Sequence, residues 1–326
     1  MIRDLKHIVK RADLAFTRFY LNVFGESDSL VIFLFHSLFR DKKEIDMNIA
    51  DPMGGITIAG FRQFIEYFLG HDYRFISPYD ILKGPVSDNK YALITFDDGY
   101  FNNRYAVPIL KEFGVPAVFS ISANNVKYGR PFWWDVLYRE RKKQGKTTEC
   151  IYDEGRTIKL KKSREIEEYI RDRIGIKAIK AECDIDRVFT PSELKEFSEQ
   201  EYVFLGNHTS DHANLVIYDS DEIRSQMLDA QSVISDITGK TPTVISYPYG
   251  NYSDEVIKIA NESGFRIGIT TVHKKNRLPI GMGDSRHLRL SRFALSEDSG
   301  LTDQCEMIRS DVSVYYNIKS LSKRGY

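Results

Sequence analysis

The sequence predicts an α/β fold, a deformed and incomplete (β/α)7-type barrel that carries a charged, partly helical insertion. Three observations predict it. Seven short apolar runs recur along the 326 residues, and segments with helical spacing separate most of them, which is the pattern of a parallel sheet. Several polar residues suited to chemistry follow directly after these runs, where the strands of a barrel end. One interval, from about 124 to 188, breaks the alternation and is dominated by charge.

Composition narrows the class. With 42% apolar residues the chain can bury an ordinary globular core. Lys plus Arg (46) balances Asp plus Glu (46), so no global field recruits nucleic acid, and no nucleic-acid partner is expected. Cys150, Cys183 and Cys305 are scattered, which argues against a disulfide framework and a cysteine zinc site and suits a reducing compartment. No stretch approaches the roughly 20 apolar residues that span a bilayer, and no apolar core followed by a small-residue cleavage site opens the chain. The expected location is the cytoplasm, either free or peripheral at the inner face of the membrane.

Residues 1–28 read as an amphipathic helix. Ile2, Leu5, Val9, Ala12, Phe16, Phe19 and Val23 recur at spacings of three and four, while Arg3, Lys6, Lys10, Arg11 and Arg18 make the segment basic. The stripe is expected to pack on the barrel or on a partner subunit. The alternative is contact of residues 1–24 with an anionic membrane surface.

The barrel is expected over 29–300. Its strands are "VIFLF" (31–35), "YRFI" (73–76), "YALITF" (91–96), "AVFSI" (117–121), "YVFLG" (202–206), "VISY" (244–247) and "RIGIT" (266–270), with helices over 60–69, 106–113, 192–199, 221–238 and 254–263. Within the insertion, "RERKKQGK" and "KLKKSREIEEYIRDR" read as solvated faces. Trp133 and Trp134, the only tryptophans, either cap the barrel or offer a flat surface to a sugar ring, and packing is the expected role. Residues 301–326 form a C-terminal extension.

Asp97 and Asp98 end the third run, just before Gly99. Side chains alternate along a strand, so the two carboxylates point apart and can take different roles. Two ionised carboxylates this close need a cation, an arginine or a shared proton. His208 and His212 follow the fifth run, and a spacing of four on a helical turn puts both imidazoles on one face. Two histidines and one carboxylate make a three-ligand metal set with an open position.

These motifs resemble those of a known family. "TFDDGY" and "HTSDH" are similar to the first two signature motifs of the polysaccharide deacetylases, the NodB-homology or family-4 carbohydrate esterases, and "SYPYGNYS" (246–253) resembles the third. "FLFHSLF", "FRQFIEYFLGHDYRFISPYDIL" and "TPSELKEFSEQEYVFLGNHT" extend the resemblance over residues 30–295 apart from the insertion. It implies an incomplete barrel of about seven βα units. It also implies Asp98, His208 and His212 as ligands of a divalent metal, Asp97 as catalytic base, and the backbone N–H of Tyr249 as a donor to the oxyanion. Nitrogen and oxygen ligands favour zinc, with cobalt or nickel as alternatives.

Two departures stand out. Ser246 occupies the place of an arginine that the family often directs at the catalytic aspartate, and the C-terminal leucine-x-histidine motif is replaced by "RHLRLSRFAL", which offers His287 and Arg292. Arg292 is expected to point inward from a final strand and pair with Asp97. His36, His273 and His287 are the candidates for the general acid, and Trp134 for a substrate contact.

The implied activity is metal-dependent hydrolysis of an N-acetyl amide, not a peptide bond. The expected partner is an N-acetylated amino sugar in a polysaccharide or a lipid-linked precursor, in surface-polysaccharide biosynthesis. A deformylase or other amidase on a lipid-linked amino sugar is one alternative. A catalytically silent carbohydrate-binding relative is another, and the intact Asp97, Asp98, His208 and His212 count against it.

Overall fold

The computed structural model describes residues 2–84, 89–280 and 285–321, with the side chains of 2–9 and 319–321 outside that description. Each apolar run forms a strand: β1 (Ser29–Phe35), β2 (Arg74–Phe75), β3 (Lys90–Phe96), β4 (Ala117–Ile121), β5 (Val203–Asn207), β6 (Val244–Ser246) and β7 (Ile267–Ile269). Two short strands follow, β8 (Asn276–Arg277) and β9 (Phe293–Ala294). β8 pairs antiparallel with β1, and at two residues it is too short to show a period in sequence.

The sheet order is β7-β6-β5-β4-β3-β1-β8. β1 and β3 run parallel in register from Ser29↔Lys90 to Phe35↔Phe96, which brings the residues after both strands to the same level. β2 pairs with the start of β3 and β4 with its end, one source of the deformation. The segment 290–294 spans the two sides of the curled sheet, since Leu290 bridges Ile269 while β9 pairs with β1. The parallel strands therefore present their C-terminal ends on one rim.

Aromatic packing holds the opening of the barrel. Thr57 caps the helix Ile58–Leu69 by accepting from Gly60 N–H, and Phe61, Phe64, Ile65 and Phe68 fall on its buried face. The rings of Phe61, Phe64 and Phe68 meet Phe33, Phe35 and Phe96 of β1 and β3, with centroid distances from 4.6 Å (Phe33–Phe68) to 5.5 Å (Phe61–Phe96). Such tilted and edge-on contacts add to the area each phenylalanine buries.

The insertion is helical over Ala123–Tyr128, Trp133–Lys143, Thr148–Ile158 and Ser163–Arg173. Its sparse apolar residues build a separate small core of Val136, Leu137, Ile151, Ile158, Ile166 and Ile170. Arg139 is buried within it and donates to Asp186 at 2.5 Å and to the carbonyls of Ala178 and Lys180.

The N-terminal helix Ile2–Phe24 corrects the expectation that its apolar stripe packs on the barrel. Ala12, Phe16, Phe19 and Val23 face outward, with Phe16 51% and Phe19 59% exposed. The buried face carries Asp13 and Thr17 instead. Polar anchors select it: Asp13 accepts from Ser313 Oγ and from the N–H groups of Val314 and Tyr315, and Arg18 pairs with Glu306. The stripe positions Ile2, Leu5 and Val9, with Arg3 and Lys6, have side chains outside the described set. Among the described residues, no helix is long and apolar enough to cross a membrane.

Candidate metal centre and active site

The site begins where β3 stops. Asp97 N–H donates to Phe35 carbonyl at 3.0 Å, extending the ladder with β1 by one residue. Asp98 then leaves the strand at φ +79°, a left-handed conformation that non-glycine residues rarely adopt and that clusters at functional sites. Gly99 follows at φ +89°, where a Cβ would lie 3.1 Å from Ile121. This bend sends the two carboxylates to different partners.

Asp98 faces the histidines. His208 follows β5, and its N–H donates to Ile121 carbonyl at 2.9 Å. Its Nδ1 lies 2.7 Å from the Ser246 carbonyl, so Nδ1 carries a proton and Nε2 is the nitrogen that faces Asp98. Nε2 of His208 and Nε2 of His212 each lie 3.4 Å from Asp98 Oδ1. A loop, not the helical turn expected from the spacing, brings them together: Thr209 and His212 are left-handed at φ +64° and +50°. Asn207 and Thr209 hold that loop by accepting from Thr209 N–H and Ala213 N–H.

The residues fit a divalent metal. Both carboxylate oxygens of Asp98 are buried without a hydrogen-bond partner, which a native interior rarely tolerates unless another ligand satisfies them. The three candidate donor atoms lie within 4.8 Å of one another. Tetrahedral ligands at about 2.1 Å from an ion stand about 3.4 Å apart, which matches the two Asp98 to histidine separations.

Asp97 faces Arg292. Guanidinium Nη1 donates to Oδ1 at 2.8 Å and Nη2 donates to Oδ2, while Nε donates to Thr270 carbonyl and Nη1 also reaches Thr95 Oγ1. Both side chains are buried. Arg292 enters from the turn into β9, and Ser246, in the place of the family's arginine, bonds Ser120 Oγ at 2.9 Å.

Charge sets the protonation states. Burial works to raise the Asp97 carboxyl, but Arg292 and then His208 outweigh it and hold the group well below the usual carboxylate range. Burial works to raise Asp98 too, but the imidazoles of His208 and His212 beside it outweigh burial and lower it. Burial pushes His212 down to about 3 and lowers His36, whereas Asp97 and Asp98 overcome burial at His208 and raise it.

A cleft of about 420 Å³ gathers Asp97, Asp98, His208, His212, Arg292, His36, Tyr249 and Trp134. Tyr249 sits at φ +60° on its wall, and Gly250 behind it has no room for a Cβ, which would lie 1.9 Å from Thr271 Oγ1. The insertion supplies the opposite wall through Trp133, Leu137, Ile151 and Tyr152.

Two general-acid candidates lie elsewhere. His287 sits in the turn Ser285–Leu288, five residues before Arg292 and short of the rim, and it does not line the cleft. His273 is buried beside Phe293 and Tyr316 and lines a different cavity. Sequence reasoning missed Asp51, which lines the cleft, accepts from Tyr152 hydroxyl at 3.0 Å and is pushed up by burial. Its place in "DPMGG", the loop after the first strand, was the available signal, because such loops form the rim of a barrel.

Residues 85–268 match the family profile described as polysaccharide deacetylase. The chain is 23% identical over 216 residues to YxkH of Bacillus subtilis (strain 168), which is named as a polysaccharide deacetylase. That match covers 65% of this chain and 57% of YxkH. It is also 32% identical over 77 residues to the peptidoglycan-N-acetylglucosamine deacetylase of Bacillus cereus, covering 24% of this chain and 28% of that protein. Among solved structures, the Streptococcus pyogenes deacetylase PplD in complex with acetate shares the fold at a TM-score of 0.58 and 17% identity, over 86% of this chain and 98% of that one. The chain belongs to the polysaccharide deacetylase family.

Proposed function

We propose that the protein is a metal-dependent hydrolase that removes an N-acetyl group from an amino sugar. The observation that carries this reading is the pair of unpartnered Asp98 oxygens facing two histidines, beside a second aspartate clamped by arginine. Asp98, His208 and His212 would hold the ion, zinc by ligand type with cobalt or nickel able to replace it. When bound, the ion lowers the pKa of water and polarises the amide carbonyl.

The chain's own residues supply the rest. Asp97, kept ionised by Arg292, accepts the proton of the attacking water. The N–H of Tyr249 donates to the oxyanion, a contact that stabilises charge present only in the transition state. His36 is the cleft-lining histidine not needed as a ligand, and once it has itself taken up a proton it delivers that proton to the leaving amine. Trp134 and Trp133 shield this chemistry from water.

The substrate reading is an N-acetylated saccharide of surface-polysaccharide assembly, polymeric or lipid-linked. Support for a lipid-linked precursor comes from the outward stripe of Phe16, Phe19 and Val23 on a basic helix, which suits contact with an anionic membrane surface. The test is acetate release from N-acetylated amino sugars by purified protein loaded with Zn²⁺ or Co²⁺, alongside N-formylated counterparts. Acetate release that disappears in His208→Ala supports the proposal. Absence of acetate and formate release from every substrate with metal bound rejects it.

A further inference from the structure

We propose that Tyr100 and Asp135 are positioning residues for His212, acting by locking Trp134 against its ring. This rests on the metal site proposed above and adds residues that carry no part of the chemistry themselves.

The two histidines are held in different ways. His208 has the usual outer bond of a metal-ligating imidazole, Nδ1–H to the Ser246 carbonyl at 2.7 Å. His212 Nδ1 is buried and has no hydrogen-bond partner. Ring packing takes the place of that bond. Tyr249 meets the His212 ring edge-on at 4.6 Å and 90°, and Trp134 meets it at 4.6 Å and 60°. An imidazole fixed only by neighbours is as well placed as those neighbours are fixed.

Trp134 is fixed on several sides. Its indole stacks on Phe132 at 4.4 Å and 12°, and Nε1–H donates to Tyr100 Oη at 2.8 Å. The Tyr100 hydroxyl donates in turn to Asp135 Oδ2 at 2.6 Å, while Asp135 Oδ1 accepts from Asp51 N–H at 2.9 Å. Tyr100 and Asp135 are both 0% exposed, so no water replaces a broken link. The chain of bonds ties together three segments that the site needs in register. Tyr100 lies two residues after Asp98, Asp135 follows Trp134 in the insertion, and Asp51 lines the cleft. Cutting it frees the indole and, with it, the imidazole.

The test measures Co²⁺ affinity by competition with a chromophoric chelator, together with the visible spectrum of the Co²⁺ protein. Wild type must bind Co²⁺ and His208→Ala must lose it; failure at that step rejects the metal site itself. Tyr100→Phe removes one hydroxyl and keeps the ring. It should weaken Co²⁺ binding about 10- to 100-fold, the range seen when outer partners of metal ligands are removed, and shift the Co²⁺ bands. Asp135→Asn, which retains a bonding partner for the Tyr100 hydroxyl, should stay nearer wild type than Asp135→Ala. A merely structural role would lower Tm and leave affinity and spectrum unchanged. Should Tyr100→Phe not fold, Trp134→Phe, which loses the indole N–H, takes the same measurement. Wild-type Co²⁺ affinity and spectrum in whichever of these variants folds would overturn the proposal.

Discussion

Arg292 and Asp97 face each other as a two-pronged buried pair, with Nη1 2.8 Å from Oδ1. Lysine keeps the charge there but loses the planar fork. Arg292→Lys should therefore lower turnover at least about tenfold, equivalent to roughly 1.4 kcal/mol, with metal content unchanged. Wild-type turnover in that variant and in Arg292→Ala would exclude the positioning role. Arg292→Ala also has a signature in pH. With the guanidinium gone, less positive charge opposes burial and the Asp97 carboxyl rises, and a base works only when ionised. The acidic limb of kcat/KM should move to higher pH, which a rate profile from pH 4 to 9 measures. The neighbouring aspartates separate in another assay. Asp97→Asn should keep metal and lose about 10² to 10⁴ in rate, whereas Asp98→Asn should lose metal as well. Metal analysis giving the reverse pattern would exchange the two roles.

At the scale of elements, the N-terminal helix and the insertion reward different tests. The helix hangs from the C-terminal extension by Asp13 and Arg18, with Lys10 donating to the Ser299 carbonyl just before it, and leaves Phe16, Phe19 and Val23 in solvent. Phe16→Ser with Phe19→Ser should abolish sedimentation with anionic vesicles and leave hydrolysis of a soluble analogue intact. Full-length protein that ignores such vesicles at low salt would remove the membrane from the picture. The helix Ile58–Leu69 is the contrasting case, with its apolar side fully engaged. Phe64 touches Phe33, Phe35, Phe61, Phe68 and Phe75, so Phe64→Ala should cost about 3–5 kcal/mol in urea unfolding.

Across the whole molecule, Glu26 joins parts distant in sequence. Its carboxylate accepts from Tyr73 hydroxyl at 2.7 Å, from Lys90 Nζ at 3.0 Å and from Arg309 Nη2 at 3.0 Å, so it connects the N-terminal segment, the start of β3 and the helix Leu301–Arg309. Burial works to raise its pKa, but Arg309, Tyr73 and Lys90 outweigh burial and lower it. A carboxylate with a lowered folded pKa contributes its stability above the unfolded value of about 4.3 and loses it as pH falls through the folded value. Glu26→Gln should thus cost about 2–3 kcal/mol at pH 7 and less at pH 3. Equal losses at both pH values in urea titrations would show that the cost is steric.

The sequence by itself determined β1 to β7, because seven apolar runs bounded by turn residues leave little alternative to a parallel sheet. It also placed Asp97, Asp98, His208 and His212 at strand ends, where the registers of β3 with β4 and of β4 with β5 leave them close together. Tertiary structure decided what depends on contacts between segments far apart in the chain. Which helix face Asp13 anchors is set 300 residues away, and it overruled the apolar stripe. The left-handed bends at Asp98 and His212, not a helical turn, aim the three candidate metal-binding side chains. Whether His36, His273 or His287 reaches the cleft depends on level along the barrel, which a lone histidine in sequence does not carry. The bonds among Trp134, Tyr100 and Asp135 cross from the insertion to the β3 turn, and no local pattern encodes a partner supplied by another segment.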